Sequence, residues 1–211
     1  MASSKPRLRG RIHQVAFFVS FPAGASLIAL ADSPAARVVT AVYAASLTLL
    51  YGTSTLLHRL DWRPRVKTLM RKLDHSAIFL LIAGTYTAFA FLALQGTWRI
   101  AVLSIVWGGA AAGIVLKGIS VERFQVVTAV LYIVTGWVGI VAIAVFLPLL
   151  GAFRAALLVA GGVLYTAGAL VLLLRRPDPI PHVFGYHEIW HAMVVLASLC
   201  HYTVILLLVL G

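Results

Sequence analysis

Apolar residues in this chain run in long blocks separated by short polar connections. Seven blocks, at approximately 13–31, 38–58, 74–94, 99–118, 124–147, 151–174 and 187–210, are each long enough to cross about 30 Å of hydrocarbon at about 1.5 Å per residue. Unpaired backbone groups are prohibitive in lipid, so blocks of this length predict helices and not strands. The expectation is an all-α polytopic membrane protein, a seven-transmembrane helix bundle forming one integral membrane domain over 1–211. No stretch is left for a soluble domain. Pro22 and Pro148 are expected to kink or terminate their helices, and Pro177, Pro179 and Pro181 to stiffen the last connection.

Composition agrees with the pattern. Of 211 residues, 62% are hydrophobic and 11% charged, with a mean hydropathy of +1.00, too little polar surface to cover a soluble domain of this length. Charge then orients the bundle. Lys5, Arg7, Arg9 and Arg11 precede the first span. Arg59, Arg63, Arg65, Lys67, Arg71 and Lys72 lie between the second and third, Lys117 and Arg123 at the fourth connection, and Arg175 and Arg176 at the sixth. Only Arg37, Arg99 and Arg154 fall on the other side. The bias of basic residues toward the cytoplasm predicts a cytoplasmic N-terminus and an external C-terminus. The net charge of +11 is accounted for by that bias, with attraction to anionic headgroups as a by-product, so nucleic acid is not an expected partner. The basic start and the small residues near Ala31 imitate a secretory signal. The apolar run is nevertheless long enough for an uncleaved first span. The single Cys200 lies within the last span and forms no intramolecular disulfide. Alanine, valine and short loops suit a bacterial inner membrane.

Against this background the ionisable residues within or beside the spans stand out, since even a centrally placed Asp costs ~2.5 kcal/mol on insertion scales. His58 ends the second span, Asp74 opens the third, and His187 and His191 open the seventh. The orientation puts all four at the cytoplasmic ends. His187 and His191 are one turn apart on one helical face, and His58 can supply a third imidazole from another helix. A catalytic zinc site needs three such ligands and an open position. Asp74 is left to hold a zinc-bound water. Ser54 shares a face with His58, either orienting a ligand or that water or bonding back to its own helix. His201 lies too far along its helix to join and is expected to hydrogen-bond inside the bundle. His75 ranks below Asp74, and His13 and His182 are expected to be ordinary interfacial residues. Trp62, Trp98 and Trp190 fit interfacial anchoring. The bland alternative for the whole set is a group of histidines hydrogen-bonded across helices.

"HEIWH" at 187–191 also matches the zinc metalloprotease pattern. A protease needs a third ligand from a further segment, and beyond His191 there is no acidic residue and one histidine, His201. Glu188 points about 100° away from His187 on a helix and is expected to be incidental.

Three segments, "STLLH" at 54–58, "KLDHSAIFLLIAGTYT" at 72–87 and "HEIWHAMVVLASLCHY" at 187–202, closely resemble the haemolysin III family. That family is grouped with progestin and adiponectin receptors and alkaline ceramidases in one seven-helix superfamily of membrane hydrolases. The resemblance covers nearly the whole chain. It implies zinc ligation by His58, His187 and His191, a carboxylate at Asp74 that holds the zinc-bound water, and an accompanying serine at Ser54. One departure is that many haemolysin III members carry an acidic residue just before the first span, where this N-terminus is purely basic. The implied activity is zinc-dependent hydrolysis of a lipid amide or ester near the cytoplasmic face. Its rivals are a receptor or regulator with a structural zinc, and a cytolysin or pore former, for which no continuous polar face runs through any span.

Overall fold

A computed structural model describes residues 6–141 and 143–211. Among the described residues every regular element is a helix: α1 (Arg11–Leu30), α2 (Pro34–Arg59), α3 (Pro64–Ala93), α4 (Gly96–Ile119), α5 (Gln125–Gly136), α6 (Val138–Val141), α7 (Ile143–Leu174) and α8 (Tyr186–Val209). Six segments are long and apolar enough to cross a membrane, namely α1 to α4, Leu150–Leu174 within α7, and α8; α5 is a shorter apolar helix. The architecture is that of a seven-helix membrane bundle, with the fifth crossing broken into pieces.

Two boundaries differ from the hydropathy reading. The third helix begins at Pro64 rather than at 74, so Arg65, Lys67, Arg71 and Lys72 lie on a helix and not in a loop. Proline at the first helical position is preset for the helical φ and loses no hydrogen bond there, and the polar turns that follow are good helix formers with no need to enter lipid. The fifth crossing, expected over 124–147, ends its first segment at Gly136 and resumes at Val138. Tyr86 of α3 causes the break: its hydroxyl donates to the Gly136 carbonyl at 2.7 Å and accepts the Gly139 N–H at 2.8 Å. A side chain inserted into the ladder is a recognised origin of a kink. In α7 the second discontinuity falls at Gly151 (φ 71), three residues after Pro148.

Consecutive helices pack as antiparallel neighbours, α8 returns against α1, and α3 touches α2, α4, α5, α7 and α8. Helix α3 therefore occupies the middle. Its Ala77 and Leu81 join Tyr43, Leu47, Tyr51 and Val194 in one apolar cluster, while Phe79, Ala83 and Ala90 join Val102, Val106 and Ala110 in another. Close approach rests on small residues, as expected where lipid removes the hydrophobic drive between helices. A Cβ on Gly84 would lie 2.3 Å from Ser46 Oγ and 3.3 Å from the Val42 carbonyl. Large apolar side chains point outward instead, among them Val15, Phe18, Ile100, Val126 and Leu174, a surface suited to hydrocarbon and not to water.

One end of the bundle is tied by polar contacts. Arg7 and Leu8 donate backbone N–H groups to the carbonyls of His182 and Val183 at 3.0 and 3.2 Å. Lys72 Nζ donates to the Gly118 carbonyl at 2.6 Å, and Arg71 pairs with Glu122 at 2.7 Å. The N-terminal segment and the α2–α3, α4–α5 and α7–α8 connections meet here, carrying the basic residues that the charge pattern assigned to a single side.

Candidate metal centre

The same end holds the site. His58 lies in the last turn of α2, one turn after Ser54, and His187 and His191 lie in the first two turns of α8. Helix α8 can start there because its first N–H groups are satisfied: Glu188 Oε2 accepts the Gly185 N–H at 2.8 Å, and Asp178 Oδ1 accepts the Tyr186 N–H at 3.1 Å. The stiff, proline-containing connection thus sets the register in which both histidines face inward.

His58, His187 and His191 each offer one ring nitrogen, and these atoms all lie within 4.8 Å of one another. Nε2 of His58 and Nε2 of His187 are 3.2 Å apart. Two nitrogens held tetrahedrally at about 2.0–2.1 Å from zinc stand about 3.3–3.4 Å apart, so the rings fit a shared cation with little movement. Buried Nδ1 of His191 has no hydrogen-bond partner among the described residues, while His58 and His187 also stand within hydrogen-bond distance of each other. Three imidazoles with an open position form the donor set of a catalytic zinc site or of a similar borderline transition metal.

Asp74 comes from the third turn of α3, its side chain 15% exposed. Its carboxylate is not part of the three-nitrogen group, and its Oδ2 lies 3.5 Å from Nδ1 of the adjacent His75. Ser54, 2% exposed, has its Oγ 2.8 Å from Nδ1 of His13 on another helix. His75 Nδ1, besides lying near Asp74, is bonded to the Arg71 carbonyl at 2.8 Å. His201 bonds the Leu158 carbonyl at 3.2 Å, inside the bundle as expected. His182 is exposed and meets the N-terminal segment through its backbone. Outside the spans, Glu122 is held below the usual carboxylate range by its own backbone hydrogen bond and by Arg71.

Two expectations need correction. His13 is not an interfacial bystander: it is 3% exposed and stacks flat on His191, with ring centroids 3.8 Å apart and planes 8° from parallel. The signal was available, because His13 opens an outward-running span just as Asp74 does. Glu188 is not incidental either. It is fully buried, caps α8 and pairs with Arg9 at 2.6 Å, which fixes the N-terminal segment over the turn carrying His187. Its work is structural, and both oxygens are engaged away from the histidine nitrogens.

The comparisons with known proteins agree with this architecture. The profile of the family described as Haemolysin-III related matches residues 1–202. Hemolysin-3 of Bacillus cereus is 39% identical over 201 residues, covering 94% of this chain and 89% of that protein. A Hemolysin-3 homolog of Bacillus subtilis (strain 168) is 36% identical over 186 residues, covering 87% and 84%. More distantly, the human Monocyte to macrophage differentiation factor is 25% identical over 177 residues, covering 82% and 71%. With a full-length profile match and two relatives above a third identity, this chain belongs to the haemolysin III family of membrane proteins.

Proposed function

We propose that the chain is a zinc-dependent membrane hydrolase that cleaves an amide or ester bond of a lipid near the cytoplasmic face of a bacterial plasma membrane. The observation that carries the reading is the convergence of three imidazole nitrogens from two helices at one end of an apolar bundle. His58, His187 and His191 hold the metal. Zinc, when bound, lowers the pKa of a coordinated water toward about 7 and polarises a carbonyl. Asp74 orients the attacking water and accepts its proton at a carboxylate oxygen. Asp74 is given that role because it is a carboxylate on α3 that is not part of the three-nitrogen group. The apolar flanks supply the route for a lipid, which enters between helices and presents its scissile bond at headgroup depth. The experiment is a screen of lipid amides and esters with zinc-loaded protein in nanodiscs. Fatty-acid release that is abolished by chelator and by His187→Ala is the expected result.

A second reading has its own support. Helices α2 and α8 meet through long side chains, His58 with His187 and Tyr51 with Ser198, so a metal could serve as a cross-link in a non-enzymatic receptor or regulator. Stoichiometric zinc without turnover across the panel, together with a chelator-induced fall in Tm, would favour it.

A further inference from the structure

We infer that Arg9 is a positioning residue: latched on Glu188, it holds residues 7–13 as a clasp across α2 and α8, so that His58 and His187 stand at metal-binding separation before a metal arrives. The inference rests on the proposed metal centre and adds a residue and a role to it. The ligands come from two helices that meet through side chains, His58 with His187 and Tyr51 with Ser198, while α1 and α3 each pack against both. His58 lies in the last turn of α2 and His187 in the first turn of α8. Helix ends open most readily, so a preformed donor set at two such ends needs a tie between them.

The N-terminal segment touches both ends. Arg7 and Leu8 donate backbone N–H groups to the carbonyls of His182 and Val183, just ahead of α8. Arg9 Nε donates to Oε1 of Glu188 at 2.6 Å, beside His187, and the other oxygen of that buried carboxylate accepts the Gly185 N–H. The next residue crosses to α2. A Cβ on Gly10 would lie 2.7 Å from the His58 Cβ and 3.4 Å from the Arg59 side chain, and the backbone there has φ 78; only glycine accepts both that angle and that approach. His13 repeats the bridge one turn deeper, its ring stacked on His191 at 3.8 Å and its Nδ1 2.8 Å from Ser54 Oγ. Adjacent residues thus fix one backbone to α8 and to α2, across the gap in which Nε2 of His58 and Nε2 of His187 are 3.2 Å apart. The charged member of the clasp is Arg9, whose loss would leave the Glu188 carboxylate buried without its cation. Groups beyond the direct ligands that hold those ligands in place typically change metal affinity by about 10- to 100-fold.

The test uses the full chain in detergent, with zinc affinity measured by chelator competition and the visible spectrum recorded after cobalt(II) substitution. Arg9→Gln and Glu188→Gln each break the charged latch, the second keeping an oxygen for the Gly185 N–H; Arg9→Lys keeps a cation within reach of Glu188. Arg9→Gln and Glu188→Gln are each expected to weaken zinc binding about 10- to 100-fold and to alter the cobalt spectrum in the same way, with zinc content at saturation unchanged. The double variant is expected to be no more than about threefold worse than either, as for two halves of one contact. Arg9→Lys is expected to lie closer to wild type than Arg9→Gln. Gly84→Ala, which loosens the α2–α3 contact about 15 Å along α3 from Asp74, controls for general destabilisation and is expected to keep wild-type affinity. Wild-type affinity and spectrum in Arg9→Gln and Glu188→Gln would overturn the inference. So would an Arg9→Lys loss equal to that of Arg9→Gln, which would remove the charge pair as the cause, or an equal loss in Gly84→Ala, which would reduce the clasp to overall stability. A wild-type chain that takes up neither metal would overturn the metal centre itself, and the inference with it.

Discussion

Asp74 and Glu188 are carboxylates at the same end of the bundle, and their contacts give them opposite work. Asp74 is not part of the three-nitrogen group, and its Oδ2 lies 3.5 Å from Nδ1 of His75; Glu188 is saturated by Arg9 and by the Gly185 N–H. Replacing Asp74 with Asn should lower turnover by about 10²- to 10⁴-fold, the range for losing a general base, while metal content stays near wild type. Rapid turnover by that variant would remove Asp74 from the chemistry. Glu188→Ala should instead cost about 2–3 kcal/mol by leaving the Arg9 guanidinium unpaired, less than for a fully buried pair because the Arg9 side chain is 20% exposed. A lowered Tm with zinc retained is the expected outcome, and unchanged Tm would show the pair to be dispensable. The gathering of His58, His187 and His191 was legible in the sequence because hydropathy gives depth and Lys/Arg bias gives side. His13 obeys the same depth rule, but its partner, Ser54, is 41 positions away. The role of Glu188 was not legible, since it depends on an arginine 179 positions distant.

Helix existence was readable from block length, whereas helix boundaries depended on what lipid does not control. The basic turns of α3 are too polar to count as a span, yet proline at N1 lets the helix begin at Pro64. The break in the fifth crossing needs Tyr86 from a different helix, a tertiary cause that no local pattern encodes. Packing between elements yields a sharp prediction at Gly84. An added methyl would meet Ser46 Oγ at 2.3 Å and the Val42 backbone carbonyl at 3.3 Å, so Gly84→Ala should destabilise the α2–α3 contact by about 1–3 kcal/mol. Gly108, with nothing within 4 Å of its added Cβ, supplies the control. Thermal unfolding in detergent should show Gly84→Ala below wild type and Gly108→Ala at or above it; equal values would argue against close α2–α3 packing.

At the scale of the molecule, the bundle turns an apolar exterior to hydrocarbon and gathers its basic connections and its imidazoles at one end. The charge rule assigns that end to the cytoplasm. In a Cys200→Ser background, an impermeant thiol reagent applied to intact cells should label Gln95→Cys and not Arg65→Cys, two exposed positions at opposite ends of α3. The reverse pattern would invert the topology. Both the hydrolase and the cross-link readings require a cation on His58, His187 and His191. The most direct test is bound metal per chain, by mass spectrometry, in detergent-purified wild type and in His58→Ala, His187→Ala and His191→Ala. Near-stoichiometric zinc in wild type, lost in all three variants, is the predicted result. Folded wild type that remains without metal after zinc supplementation would contradict it and return these rings to hydrogen bonding between helices.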